Sequence, residues 1–301
     1  MKLNVVRFYN FYPKSEFPVL HSDTVFGAVC NAIAELEGDA ELVKILERME
    51  KNTADGFCVS SGFPFVESGG QLRHLMPFEV LSLSEKKEMK GKFVDVEFFK
   101  ETSKEIDDFI YSPPKGVYRV RNRVGREMET PTTLFSVPYI IDPERDVWGF
   151  WFAYAGDTKL CEEAFRFLRD EGIGGDRNVG SKCEKIEFAT LEVLDSGNYF
   201  TNLSLYVPAE DELNGIVEKD CWYKLICRHG WREVDGVGKE SKPARYYFTE
   251  GSVFSTIGKK TVYGKCSQFE HLRGVWWSGL TIPLYFNNVE GVIKSLQSKE
   301  N

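Results

Sequence analysis

Gly172-Ile-Gly-Gly-Asp-Arg-Asn-Val-Gly-Ser-Lys182 is the stretch on which the reading of this chain turns. Before it, Asp157 offers a side-chain oxygen to cap a helix, and Leu160, Ala164, Phe165 and Leu168 recur at helical spacing up to Gly172. After it, residues 183–193 read as a strand. Two nucleotide-binding motifs nearly match the turn. Gly172, Gly174 and Gly175 approach a dinucleotide loop, and Gly175 to Lys182 is one transposition from the phosphate loop G-x-x-x-x-G-K-[ST]. Both motifs need a strand before the loop and a helix after it, so that phosphate meets a helix N-terminus. Here the order is helix then strand, which excludes both. What is left is a loop whose glycines, Gly180 included, permit close backbone approach. Its N–H groups, with Arg177, Asn178, Ser181 and Lys182, can meet phosphate oxygens. The alternative is a flexible turn that ends a helix.

Working outward, residues 147–155 form a near-continuous apolar strand, and residues 3–10 form an earlier one rich in β-branched and aromatic types. Between them, Ser22 or Asp23 can cap a helix with apolar residues at 25, 26, 29, 30, 33 and 36, stopped by Gly38. A shorter helix is predicted over 40–50, and a strand over 57–66 with a bend at Gly62–Pro64. Residues 72–146 are irregular, punctuated by Pro77, Pro113, Pro114, Pro131 and Pro138, and read as an insertion outside the core. Without that insertion the order is strand, helix, strand, then strand, helix, glycine turn, strand. That is the ferredoxin-like (RRM-like) plan of an α+β protein. From 196 on, strands at 200–207, 221–228, 244–248 and 280–286 alternate with turns, and 231–242 reads as a connection. The expected division is 1–195 for the first unit and 196–301 for a second, mostly β unit, a degenerate copy of the same plan.

The 301 residues are 42% hydrophobic and 28% charged, as in a folded globular protein. No segment reaches the ~18 apolar residues of a membrane helix, and no signal peptide is apparent, so no membrane role and a cytoplasmic location are expected. The seven cysteines are scattered without a CxxC pair and read as reduced thiols. Cys221, Cys227 and His229 come near a metal cluster, but their spacing fits no common zinc pattern. No metal or cofactor is expected. A net charge of −8 argues against a protein that binds nucleic acid over its whole surface.

Against that acidity stands Lys115-Gly-Val-Tyr-Arg-Val-Arg-Asn-Arg-Val-Gly-Arg126, with five basic residues in twelve and no acid. Arg119, Arg121 and Arg123 are spaced by two and share one face of a strand. The planar guanidinium fork suits phosphate, and Tyr118 and Phe135 could stack on bases. The alternative is a solvated edge strand protected by charge. His21, ahead of the first helix, could serve as a general acid/base in RNA cleavage or donate to RNA, though no second catalytic partner is evident.

These residues carry a resemblance. Leu20-His-Ser-Asp-Thr-Val-Phe-Gly-Ala-Val-Cys30 resembles the first-helix signature of RAMP-superfamily CRISPR proteins. Within the superfamily it is most similar to the family of the fourth subunit of the type III-A Csm effector complex. The 172–182 turn is similar to the superfamily's glycine-rich loop. Arg121-Asn-Arg-Val-Gly-Arg126 with Thr133-Leu-Phe135 resembles the family's thumb hairpin, and Arg273-Gly-Val-Trp-Trp-Ser-Gly279 with Pro283 resembles its closing segment. Gly125 stands where the family often has Asp, just before Arg126. The resemblance implies a non-catalytic RNA-binding scaffold with two ferredoxin-like domains and a thumb at about 72–146. Such a subunit holds the 5′ repeat-derived tag of the guide RNA (crRNA), between the large polymerase–nuclease subunit and an adjacent backbone RAMP subunit. The expected RNA-contacting set is His21, Ser22, Arg119, Arg121, Arg123, Arg126 and residues of the glycine loop. The alternative within the superfamily is a guide-precursor endoribonuclease using His21.

Overall fold

The computed structural model describes residues 1–11, 13, 19–84, 89–100, 105–123, 133–141, 147–174, 183–217, 220–234 and 238–297. The first strand, β1 (Lys2–Tyr9), is followed by helices α1 (Ser22–Glu37) and α2 (Asp39–Lys51). Then come β2 (Phe57–Val59), β3 (Phe63–Ser68), β4 (Gln71–Pro77), β5 (Phe93–Asp95) and β6 (Ile110–Tyr111). A hairpin of β7 (Lys115–Arg123) and β8 (Thr133–Ile141) precedes β9 (Trp148–Gly156), α3 (Thr158–Glu171) and β10 (Lys185–Glu192). These strands, the β7–β8 hairpin aside, make one antiparallel sheet in the order β10-β1-β9-β3-β4-β5-β6, with β2 also on β9.

All three helices predicted in the first unit form where their apolar stripes lie, α2 burying Ile45, Leu46 and Met49. Val25, Phe26, Val29 and Ile33 of α1, and Cys161, Ala164, Phe165 and Leu168 of α3, are buried. Asp157 caps α3 by accepting from the Leu160 N–H at 3.1 Å. The ring of Phe165 then meets Phe8 and Phe152 of the sheet at 6.0 and 5.7 Å between centroids. Each such buried phenyl stabilises by ~1.5–3 kcal/mol. The break predicted near Gly62 is present: β2 and β3 lie along the same edge of β9, and Ser60 fills the gap by accepting from the Ala153 N–H at 2.7 Å.

Residues 72–111 correct the expectation of an insertion outside the core. They extend the sheet by three strands, and Leu75, Met76, Phe93, Phe98, Phe99 and Phe109 are buried. Pro77 ends β4 and Asp95 ends β5, while the phenyl rings of the segment pack inward, Phe99 reaching Phe286 at 5.4 Å. Among the described residues, the β7–β8 hairpin pairs with no other strand.

After 195 the chain adds β11 (Tyr199–Asn202), α4 (Glu210–Val217), β12 (Leu225–Arg228), β13 (Trp231–Val234), β14 (Gly238–Ser241), β15 (Arg245–Phe248) and β16 (Val253–Ser255). It closes with β17 (Cys266–Phe269), β18 (Leu272–Ser278), β19 (Pro283–Phe286) and α5 (Val289–Gln297). A three-stranded sheet, β16-β11-β19, is joined by the ribbons β12–β15, β13–β14 and β17–β18. The segment read as a connection at 231–242 is thus a hairpin. The main core does not stop at 195: Leu203, Val253, Leu284 and Phe286 belong to the same cluster as Phe8 and Trp151. The architecture is mixed α/β with antiparallel sheets.

Candidate nucleic-acid interface

The site is built around the start of α1. Leu20 bridges Gly62 with two backbone hydrogen bonds of 2.9 and 2.8 Å, which fixes where the helix begins. The first residues, expected to cap it, make no N-cap hydrogen bond, though Asp23 Oδ1 accepts from the Thr24 N–H at 2.8 Å. They reach instead into the half beyond residue 195. The Ser22 hydroxyl accepts from the Leu205 N–H at 3.0 Å. The Asp23 carboxylate accepts two hydrogen bonds from Arg228, at 2.9 and 3.1 Å. His21 Nδ1 lies 2.9 Å from Glu250 Oε1, which also accepts from the Ser61 hydroxyl at 2.5 Å. A buried N–H, a guanidinium and a buried carboxylate outcompete local capping because each would otherwise lose its partner away from water.

This geometry sets the charges of the pair. Burial alone would push His21 down, yet the charge of Glu250 and its hydrogen bond outweigh burial and raise the histidine above its usual value. Burial would likewise push Glu250 up, but the His21 charge and the hydrogen bonds from His21 and Ser61 hold it below the usual carboxylate range. The pair is therefore an imidazolium–carboxylate clasp, with side chains 12% and 3% exposed. Ser22 is buried as well. Both residues, expected at RNA, are committed to protein partners. His74 is buried and pushed down to about 3 by burial and then by Arg7, so it is neutral.

Gly172 and Gly174, from the start of the glycine turn, lie beside this junction. Gly172 ends α3, its N–H donating to the Leu168 carbonyl at 2.8 Å, with φ 81° and ψ 168°. Gly174 also has positive φ, 87°, and a Cβ there would lie 3.7 Å from Leu20 and 3.8 Å from Thr24. Gly175, Arg177, Asn178, Gly180, Ser181 and Lys182 lie outside the described residues, as does Arg126.

Arg119, Arg121 and Arg123 occupy alternate positions of β7, paired with Val137, Phe135 and Thr133 of β8. Val137 and Tyr139 are buried and anchor the hairpin, and the Arg119 guanidinium lies 5.2 Å from the Tyr139 ring centroid. Tyr118, Val120 and Leu134 are each 67% exposed.

One feature escaped the sequence. A groove of about 760 Å³ runs between α1 and the ribbons of the second half, from Gly172 and Gly174 past Arg228, Lys242, Arg245 and Trp276. The sequence places Arg228 and Arg245 on strands at 221–228 and 244–248, but nothing in it says that those strands pair. Among the described residues no group of three His, Cys, Asp or Glu side chains could hold a metal ion, and no helix is long and apolar enough to cross a membrane.

Comparison with known proteins follows the same outline. Residues 195–283 match the family described as the CRISPR Csm4 C-terminal domain. The chain is 26% identical over 305 residues to the CRISPR system Cms protein Csm4 of Thermococcus onnurineus (strain NA1), covering 93% of this chain and 96% of that one. Its fold is similar to a chain in the crystal structure of a Csm3–Csm4 subcomplex of the type III-A CRISPR–Cas interference complex. There the TM-score is 0.64 at 19% identity, over 96% and 100% of the two chains. A Csm1–Csm4 cassette in complex with cA4 gives a TM-score of 0.57 at 20% identity, over 95% and 98%. The family match in the second half and the near-full-length relative agree with the first-helix and closing-segment resemblance: this chain is similar to Csm4 proteins over nearly its whole length.

Proposed function

We propose that this chain is a non-catalytic, RNA-binding subunit of a type III-A interference complex, and that it holds the 5′ repeat-derived tag of the guide RNA. The observation that carries the reading is Gly174 of the glycine turn beside Leu20 and Thr24 at the start of α1, with Gly172 and Gly174 in backbone conformations that L side chains rarely adopt. Such a turn lets a backbone approach a phosphate closely. The arginines at alternate positions of the β7–β8 hairpin add phosphate-binding forks. In this reading His21 and Ser22 position α1 for the RNA rather than touch it, and the loop residues Gly175, Arg177, Asn178, Gly180, Ser181 and Lys182, with Arg126, complete the contact set.

The first unit, 1–195, is ferredoxin-like: its strands run last, first, third, second across the sheet, as β10-β1-β9-β3, with α1 and α3 as the two helices. The second, 196–301, is a degenerate relative of it, and the two share one core. The relatives that assemble with Csm1 and with Csm3 support docking here to a large polymerase–nuclease subunit and to an adjacent backbone RAMP subunit, in the cytoplasm. An endoribonuclease using His21 is disfavoured, because its ring is mostly buried and its Nδ1 is held by Glu250.

The test replaces Arg119, Arg121 and Arg123 together by Ala. Reconstituted complexes are expected to retain guide RNA at least about tenfold less well, with the melting temperature of the isolated chain unchanged. Unaltered RNA occupancy sinks the hairpin's role. Metal-free cleavage of repeat RNA that disappears in His21→Ala sinks the non-catalytic reading.

A further inference from the structure

The groove between α1 and the second-half ribbons has an electrostatic character unlike the rest of this acidic molecule. Among the described residues its lining includes Arg228, Lys242 and Arg245 but only one acid, Asp23. Arg228 and Arg245 sit directly opposite each other across β12 and β15. Like charges at such a pair repel, so each needs a partner. Arg228 has one in the two-pronged contact with Asp23. Arg245 has no carboxylate partner among the described residues, and its buried Nε has no acceptor. Its guanidinium instead lies 3.6 Å from the Trp277 ring centroid and 5.5 Å from that of Phe269. Stacking on an indole holds the planar fork in one orientation without satisfying its donors. Half-buried Lys242 lines the same groove, as does half-buried Trp276.

A cation fixed in place, with an unused buried donor, a second cation beside it and aromatic faces along the wall is the composition of a single-strand nucleic-acid channel: phosphates on the cations, bases on the rings. An acidic peptide could meet the cations but would leave the aromatic faces without a planar partner. We infer that Arg245, stacked on Trp277, and Lys242 bind phosphates of a single RNA strand that enters the groove past Gly172 and Gly174. This rests on the RNA-binding reading above and extends it, because it assigns part of the contact to the second unit.

The experiment uses the full chain and a fluorescein-labelled single-stranded RNA of roughly 12 nucleotides, within the ~4–16 that one such groove spans. Binding is followed by anisotropy across a salt series, for Arg245→Gln and Lys242→Gln beside the unaltered protein. Arg245→Gln is expected to bind about tenfold more weakly. In each variant the slope of log affinity against log salt is expected to flatten by about 0.7, the value for one phosphate contact on a single strand. If Arg245→Gln does not fold, Lys242→Gln, on a half-buried side chain, carries the test. RNA binding with unchanged affinity and slope in the variants overturns the groove assignment and leaves the general RNA reading standing. No RNA binding by the unaltered chain overturns both. Binding of labelled oligoglutamate in preference to RNA makes an acidic segment the occupant and overturns the assignment to RNA.

Discussion

Replacing Glu250 by Ala probes the junction on which the candidate site depends. Its carboxylate is 3% exposed and accepts from His21 at 2.9 Å and from Ser61 at 2.5 Å. Breaking a buried ion pair from one side costs ~3–5 kcal/mol. Here the lower end applies, because a His21 left without its carboxylate sheds its proton under the same burial and ceases to be a stranded charge. The Ser61 hydroxyl loses its acceptor in any case. A loss of about 3 kcal/mol corresponds to a fall of about 6 °C in melting temperature, at ~2 °C per kcal/mol for a chain of this size. Calorimetry against pH adds a second readout. His21 is raised, so its share of the stability is complete below ~6.5 and fades as pH rises through the higher folded-state value. Glu250 is lowered, so its share is complete above ~4.3 and fades as pH falls through the folded-state value. The unaltered protein should therefore lose stability as pH rises above ~6.5 through the higher folded-state value of His21, by an increment that Glu250→Ala lacks. The double replacement His21→Leu, Glu250→Leu should be less destabilised than the sum of its parts, since no charge is left without its partner. A melting temperature for Glu250→Ala within about 1 °C of the unaltered protein, or strict additivity in the double variant, would refute the clasp.

Two further predictions concern backbone and thiols. Gly38 and Gly251 both have positive φ, but a Cβ at Gly38 meets nothing within 4 Å whereas one at Gly251 would lie 2.3 Å from the Pro77 carbonyl oxygen. Gly38→Ala is expected to cost ~1–2 kcal/mol, and Gly251→Ala on the order of 4 kcal/mol, both read by denaturant titration; equal losses would show that the Pro77 contact carries nothing. Exposed Cys227 should be alkylated in the native state near neutral pH, while buried Cys58, Cys161 and Cys266 should react only after unfolding. Burial pushes the Cys58 and Cys161 thiols up, and Cys266 up to about 12. Peptide mass spectrometry that found Cys266 modified in folded protein would contradict this packing.

Local rules carried much of the first half. The apolar stripes of α1 and α3, the Asp157 cap and the Gly172 stop are all properties of a few neighbouring residues, and they survive into the structure. The order of helix, glycine turn and strand was enough to dismiss two nucleotide motifs. What could not be read is what depends on distant partners. The clasp joins residues 229 apart in sequence, and a histidine before a helix looks the same whether or not a glutamate waits for it. The segment 72–111 misled for a related reason. Its strands are two to seven residues long, too short to show a period, and Phe98 and Phe99 are buried only because Phe78 and Phe286 arrive from elsewhere. Beyond 195, α4 and α5 and the hairpin β13–β14 were hidden by short length and by glycine-punctuated turns.

The net charge of −8 was the strongest objection to an RNA role, and its resolution lies in where the acids are spent. Glu187 holds Arg7 and Tyr9 on the sheet, Glu162 pairs with Arg166 along α3, and Glu212 is buried against Lys260 and Tyr206. The groove beside α1 keeps a single acid, and that acid is taken by Arg228. The two opposed arginines of the β12–β15 ribbon thus divide the work. Arg228 ties the ribbon to the start of α1, which sets the groove's width, and in doing so it uses up the counter-charge that Arg245 would otherwise share. Docking the second unit onto the first helix and leaving a stacked, unsatisfied guanidinium facing the groove are consequences of the same contact. The Asp23–Arg228 pair and the His21–Glu250 clasp lie two residues apart on the α1 side. Loosening either would therefore move the helix that also lies beneath Gly174, so the turn and the groove would lose register together.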